Sequence, residues 1–247
     1  MKVSLLLTVY NVESNLPLTL KSIEEQDYPD IEAVIVDGGS VDGTVRLIKE
    51  FAARAEKRKN LSVRWVSEPD EGLYDAMNKA FRLSTGDVVA VCNDRLCKPY
   101  TVSILTAAIK QGGARCVGAH ADLVYMEGER VVRKWHMGVG RISEGWLPGH
   151  PTLFLKRAVY ETYGLYDTSF RCSADYEFII RFLKDGKNEL AYVPEVLVEM
   201  FYGGTSNAGL KNYLVSLVEG YQALKRNGVP HPIWISLRRT LRVISQF

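Results

Sequence analysis

Residues Ser67–Asp94, SEPDEGLYDAMNKAFRLSTGDVVAVCND, decide how the rest of the chain is read. The stretch opens with an acidic loop, Glu68-Pro69-Asp70-Glu71-Gly72. Leu73 to Leu83 then has helical spacing. Gly86-Asp87 turns the chain into an apolar run, Val88 to Cys92, which stops on the polar pair Asn93-Asp94. A short unbroken apolar run is the pattern of a parallel strand covered on both faces, and ligands of an open α/β sheet bind beyond the C-terminal ends of such strands.

The chain before this stretch repeats the same grammar. Val3 to Val9 is a β-rich apolar run. Ser14 or Asn15 can cap a helix carrying Pro17 in its first turn and running to about Glu25. Ile31 to Val36 predicts a second strand, followed at once by the loop Asp37-Gly38-Gly39-Ser40-Val41-Asp42-Gly43-Thr44. A helix from Val45 to Arg58 and a strand from Leu61 to Val66 complete the series. Alternating strands and helices of this kind predict a parallel sheet with right-handed crossovers, a Rossmann-like half. Beyond Pro99 the order changes. A helix at Thr101–Lys110 precedes strands at Cys116–Ala121 and Leu123–Met126. A turn at Glu127-Gly128-Glu129 leads to Arg130–Trp135. Gly138–Gly149 is loop-like, Thr152–Leu155 a short strand, and Lys156–Tyr163 and Ala174–Asp185 helices. Ala191–Met200 is a strand pair or one bent strand, Gly203-Gly204-Thr205-Ser206 a loop, and the remainder helical with a break near Gly228-Val229-Pro230.

With 247 residues, 47% apolar and 24% charged, the chain is ordinary for a folded globular protein. A net charge of +2 gives no support for a nucleic-acid partner. The four cysteines, Cys92, Cys97, Cys116 and Cys172, form no CxxC pair and have no histidine at zinc-site spacing, so they read as free thiols of a reducing, cytoplasmic setting. The segment MKVSLLLTVYN reads as a first strand rather than a leader, and no apolar run reaches the roughly 20 residues that span a bilayer.

Three clusters can carry chemistry. The first joins Thr8-Val9-Tyr10-Asn11 to Asp37, all at predicted strand ends. A carboxylate there can accept the N–H of a nucleobase and Tyr10 can stack on its ring; equally, Asp37 and Asp42 can close turns and cap the next helix. The Gly-rich loop is neither GxGxxG nor a Walker A sequence. The second cluster gathers Glu68, Asp70, Glu71, Asp75, Asp87 and Asp94. Asp75 and Lys79, four apart on a helix, face the same way and can form a solvated ion pair. Asp94, following an apolar strand, suits a divalent cation that holds a diphosphate, or else a plain strand-end turn. The third runs from Gly149-His150-Pro151 to Ser173-Ala174-Asp175-Tyr176-Glu177. Asp175 at a helix start can be a cap or a general base toward a sugar hydroxyl. His150 can meet a phosphate or metal, or be structural.

Taken together, these residues resemble the inverting glycosyltransferases of family 2. The pieces are TVYN at Thr8–Asn11, IVDGGSVDGT at Ile35–Thr44, SEPDEGLYDAMNKA at Ser67–Ala80 with STGD at Ser84–Asp87, GHPTLFLKRAVYETYGLYD at Gly149–Asp167, and CSADYEFIIRF at Cys172–Phe182. The EPDxGxYDAMNK subgroup resembles bacterial enzymes of polysaccharide and exopolysaccharide assembly. The resemblance implies a GT-A fold: a Rossmann-like, mainly parallel mixed sheet flanked by helices, with a C-terminal helical extension. It divides the chain into a nucleotide-sugar half (1–98), an acceptor half (99–207) and the extension (208–247). It implies that Thr8, Tyr10, Asn11 and Asp37 hold the nucleoside of the donor, most often uridine. Asp70, Lys79 and Asn93 would lie near base, ribose or diphosphate, and Asp175 would deprotonate the acceptor hydroxyl of a saccharide or lipid-linked acceptor.

The family also implies Mg²⁺ or Mn²⁺ at acidic residues ending the fourth strand. Here that strand ends Cys92-Asn93-Asp94-Arg95-Leu96. Asp94 is left as the metal ligand, and Arg95 stands where an acid is expected. Its cation opposes a metal but can itself bind diphosphate oxygens in a bidentate way. The NDRL sequence therefore also supports a second reading, a catalytically weakened sugar-nucleotide-binding or scaffold subunit. Finally, Pro232–Phe247, PIWISLRRTLRVISQF, places Arg238, Arg239 and Arg242 beside an apolar face of Ile233, Trp234, Leu237, Leu241 and Ile244. Such a helix either lies on an anionic membrane, at the inner face of the plasma membrane, or packs on the domain.

Overall fold

The computed structural model describes residues 1–201 and 210–244. The expected loop at Gly203–Ser206 lies outside them. The first half follows the predicted alternation: β1 (Val3–Val9), α1 (Leu16–Glu24), β2 (Ile31–Asp37), α2 (Thr44–Ala55), β3 (Leu61–Ser67), α3 (Leu73–Leu83) and β4 (Val88–Val91). The second half comprises β5 (Arg95–Leu96), α4 (Thr101–Gln111), β6 (Cys116–Glu127), β7 (Arg130–Trp135), β8 (Phe154–Lys156), α5 (Arg157–Tyr163), α6 (Ala174–Leu183) and β9 (Glu189–Phe201). Two helices follow, α7 (Leu210–Arg226) and α8 (Pro232–Ile244).

One nine-stranded sheet, ordered β3-β2-β1-β4-β8-β6-β9-β5 with β7 also on β6, runs through both halves. β1, β2, β3 and β4 are parallel. β8 runs against β4 and β6, while β6 and β9 are parallel to each other. Every residue of β1 and β2 is buried, as in strands covered on both faces, and the polar Ser4 and Glu32 within them pair with each other, Ser4 Oγ donating to Glu32 Oε2 at 2.6 Å. The period of two splits the core. Leu5, Leu7 and Ile35 pack with Leu20, Ile23 and Phe51 of α1 and α2 on one side. Leu6, Val34 and Val36 pack with Met77 and Phe81 of α3 on the other. Phe51 is fully buried, and its truncation to alanine is worth about 3–5 kcal/mol.

Four expectations about elements need correction. The two strands expected at 116–121 and 123–126 are one strand, β6. Its ladder to β9 continues past Asp122 through register shifts at Ala121/Asp122 and Asp122/Leu123, so the polar residue bends the strand without ending it. The strand expected from Thr152 begins at Phe154, because Pro151 starts a 3-10 turn over His150–Thr152 that closes with Thr152 Oγ1 donating to Gly149 O at 2.9 Å. Helix α2 stops at Ala55 rather than Arg58, since Lys57 and Arg58 donate to Arg54 O and Ala55 O in a tightened last turn. The two-residue strand β5 was not expected; it exists through β9, with Arg95 opposite Glu199 and Leu96 opposite Val198.

Candidate functional site

Val9, Asp37 and Ser67 lie side by side at the ends of β1, β2 and β3. Thr8 and Asn93 join β1 to the end of β4. The Thr8 N–H donates to Asn93 Oδ1 at 2.7 Å, and Asn93 Nδ2 donates to Thr8 Oγ1 at 2.8 Å. These are the strand ends at which the alternation predicted ligand binding.

Asp37 is fully buried and accepts four hydrogen bonds, three at Oδ2 and one at Oδ1. Gly39 N and Ser40 N donate to Oδ2 at 3.2 and 3.0 Å, Ser67 Oγ donates to the same oxygen at 2.6 Å, and Ser40 Oγ donates to Oδ1. In this conformation the carboxylate closes the Gly-rich turn. Asn11 braces the same loop: with φ at +50°, a left-handed conformation asparagine tolerates, its N–H donates to Ser40 Oγ at 2.8 Å and its Oδ1 accepts Val41 N at 2.9 Å. Tyr10 is 61% exposed. A side chain at Gly38 would stand 2.5 Å from Asp70 Oδ2 and 3.5 Å from the Tyr10 ring, so the first two sequence clusters meet over this glycine. Lys79 pins the acidic loop to α3, donating to Pro69 O at 3.0 Å and pairing with Glu68 and Asp75 at 3.3 Å each.

The end of β4 separates Asp94 from Arg95. The Arg95 guanidinium pairs with Glu199 Oε2 at 3.0 Å across β5 and β9. Asp94 is half-buried, and among the described residues its carboxylate accepts one long bond, from Phe201 N at 3.4 Å. Burial raises its carboxyl to about 6, which that bond only partly offsets. A carboxylate so short of partners fits a cation. Among the described residues no group of three or more His, Cys, Asp or Glu could hold a metal ion. A single carboxylate suits a cation only as its one protein ligand, the other positions falling to substrate phosphate oxygens and water, which Mg²⁺ sites allow.

The third cluster faces α3. No side chain caps α6, and Asp175 in its first turn accepts a hydrogen bond from the Tyr74 hydroxyl at 3.1 Å. Burial, and then the nearby Asp175 charge, push the Tyr74 phenol well above its ordinary value, so it remains a donor. Behind this pair lie Tyr166, Tyr160 and His150. His150 Nε2 meets Tyr166 Oη at 2.8 Å, and the Tyr160 and Tyr166 hydroxyls are 3.2 Å apart. Burial lowers the His150 imidazole against the opposing charge of Asp175. Its Nε2 is thus engaged with a phenol beneath Asp175. Asn78 fixes this wall by exchanging two hydrogen bonds with the Tyr166 backbone, at 2.9 and 3.0 Å.

One residue not singled out in the sequence, Asp122, stands midway along β6. Asp122, 3% exposed, accepts from Tyr192 Oη and Met137 N at 2.8 Å each and contacts His136 Nδ1 at 2.9 Å. Ala121 N donates to Thr152 Oγ1, which ties this point of β6 to the turn bearing His150. Trp146 Nε1 donates to Met137 O at 2.9 Å, so Asp122 anchors the loop that leads to His150. An acid inside the apolar run Ala119–Tyr125 was the available signal; without its partners it looked like a strand break.

Comparison with known proteins identifies the fold and the family. The family profile described as "Glycosyl transferase family 2" matches residues 4–174. A PGL/p-HBAD biosynthesis glycosyltransferase of Mycobacterium bovis is 30% identical over 215 residues, covering 83% of this chain and 78% of its own. The crystal structure of S. aureus TarS in complex with UDP-GlcNAc superposes with a TM-score of 0.72 at 17% identity, covering 99% of this chain and 73% of that one. The mannosyltransferase PcManGT from Pyrobaculum calidifontis, in complex with GDP-Man and Mn²⁺, gives 0.66 at 17% identity, with 99% and 74% covered. These likenesses give the fold, GT-A, and the profile with the mycobacterial relative gives the lineage: the chain belongs to glycosyltransferase family 2.

Proposed function

We propose that this glycosyltransferase moves a hexosyl group from a nucleoside-diphosphate sugar, a UDP-linked one, to a hydroxyl of a saccharide or lipid-linked acceptor, with inversion at the anomeric carbon. The observation that carries the reading is Asp175 held at the first turn of α6 by the hydroxyl of Tyr74, from the helix that follows the acidic loop over Gly38. Tyr10 stacks on the base. Asp37 meets the base N–H once a serine hydroxyl swings off it, and Asp70 and Lys79 border the ribose and diphosphate. Asp175 takes the proton of the acceptor hydroxyl, the oxygen attacks the anomeric carbon, and the bond to the diphosphate breaks on the opposite face. One displacement inverts the configuration. Asp94 would be the protein ligand of a Mg²⁺ or Mn²⁺ ion, which supplies neutralising charge to the leaving diphosphate. Arg95 is spent on Glu199 and serves the diphosphate only after releasing it. The setting is polysaccharide assembly; the mycobacterial relative is named for PGL/p-HBAD biosynthesis.

The test is release of nucleoside diphosphate from a panel of UDP- and GDP-sugars, with Asp175→Asn as control. Donor-dependent release that falls about 10²-fold or more in the variant is expected. Equal release by both proteins would remove Asp175 from the chemistry, and no release from any donor would favour a binding or scaffold subunit.

A further inference from the structure

Helix α8 is mounted with its polar side inward. Ile235 is buried and Ser236, Arg239 and Thr240 are half-buried, facing the domain. Ile233, Trp234, Leu237 and Leu241 are 66%, 56%, 53% and 66% exposed, and Arg238 and Arg242 are exposed between them. Positions 233, 234, 237, 238, 241 and 242 form one helical stripe. An ordinary surface helix turns such a stripe to the core.

The mounting is fixed by close packing. Gly145, at φ +72°, lies so near α8 that a Cβ there would stand 2.8 Å from Arg239 N and 3.1 Å from Ile235 O. The Arg239 guanidinium covers the Tyr176 ring at 4.1 Å. The helix is therefore seated by its polar side and cannot roll to bury the leucines without losing that seat.

We propose that the outward stripe of α8 is a docking surface for an anionic bilayer. The charge is complementary: from Gly220 to Phe247 the sequence has Lys225, Arg226, Arg238, Arg239 and Arg242 and no acidic residue. Arg238 lies over the Trp234 ring at 5.2 Å, presenting indole and guanidinium together, as suits the headgroup boundary. A second copy is a poorer occupant, because a two-fold contact through this stripe brings Arg238 and Arg242 toward their own copies. No helix among the described residues is long and apolar enough to cross a membrane, so the contact is interfacial.

Docking also sets the orientation of the site. Glu219 of α7 accepts Arg171 N and Cys172 N at 2.8 Å each, immediately before α6, and Arg239 of α8 holds Tyr176. The two C-terminal helices thus grip the helix that bears Asp175. This consequence rests on the proposed role of Asp175; the docking itself does not.

The test is sedimentation of the full chain with vesicles of phosphatidylcholine alone, or mixed with phosphatidylglycerol, at low and high salt. Binding to the mixed vesicles at low salt is expected. It should weaken by about tenfold or more in neutral vesicles, in Trp234→Ser/Leu237→Ser/Leu241→Ser, and in Arg238→Glu/Arg242→Glu. All these side chains are exposed, so unchanged melting temperatures should accompany the loss. Absence of wild-type binding, or equal binding by the triple variant, would overturn the proposal. A wild-type dimer that becomes a monomer in the triple variant, as seen by light scattering, would assign the stripe to a second copy and overturn it too. Nucleoside diphosphate release without vesicles, measured alongside, separates a failure of docking from a failure of the enzymatic reading.

Discussion

The Tyr74 hydroxyl donates to Asp175 Oδ1 across 3.1 Å, linking the first turn of α3 to the first turn of α6 over 101 residues of sequence. The bond fixes one carboxylate oxygen and leaves the other for the acceptor hydroxyl that Asp175 is proposed to deprotonate. A hydrogen bond to a charged group is worth about 1.5–3 kcal/mol. Tyr74→Phe should therefore lower kcat for nucleoside diphosphate release by about 10- to 100-fold with the donor KM unchanged. A rise in donor KM at constant kcat would instead place Tyr74 in donor binding.

Asp122 holds the loop above the site through three partners, two of them backbone or side-chain donors at 2.8 Å. Asp122→Ala removes the oxygen that accepts from both Tyr192 Oη and Met137 N. A loss of about 1.5–3 kcal/mol in urea unfolding is expected, as for a buried charge-assisted bond. Amide exchange at Met137 should accelerate in step, because its N–H donates to that carboxylate. Unchanged exchange at Met137 would show the loop to be anchored elsewhere.

The sequence made the edge of strand ends readable because its signals are local. Each apolar strand, its terminal polar residue and the following helix occur within one crossover, so Thr8, Asp37 and Asn93 could be placed without knowing any distant partner. Their hydrogen bonds could not be placed: Asn93 finds Thr8 85 residues away, and Asp37 finds Ser67 30 away. Strand β5 was invisible because two residues become a strand only against β9. Asp122 misled for the same reason, its partners being loop residues and Tyr192. Helical periodicity revealed that α8 is amphipathic but not which side would face inward. That was decided by Gly145 and Tyr176, which no pattern within α8 contains.

Asp94 is ionised at neutral pH only against the cost of its burial, since its carboxyl is raised to about 6. A divalent cation shared with a diphosphate relieves that cost. Mn²⁺ added with UDP should therefore raise the melting temperature of the wild type beyond the effect of UDP alone. In Asp94→Asn the increment due to Mn²⁺ should vanish while the UDP increment persists. An increment equal in both proteins would show that Asp94 does not ligate the ion.

His120 makes the protein sensitive to acid. It is fully buried, at 0% solvent exposure, between the stacked Tyr192 ring and the edge of Trp146, and neither ring nitrogen has a hydrogen-bond partner among the described residues. Burial lowers its value from 6.5 to about 4, against the attraction of the neighbouring Asp122 charge. The folded chain thus keeps this imidazole neutral where the unfolded chain protonates it. Because the unfolded state binds more protons between pH 6.5 and 4, stability is complete above that window and lost as pH falls through it. From pH 7 to pH 5 the loss assigned to this residue is about 2 kcal/mol. His120→Phe removes both unpartnered nitrogens from the same space, so it should be at least as stable as the wild type at pH 7 and should lose about 2 kcal/mol less on going to pH 5. Urea unfolding of both proteins at the two pH values measures the difference. Parallel losses would mean that His120 is protonated in the folded state or reached by water, and the acid sensitivity would then belong to other groups.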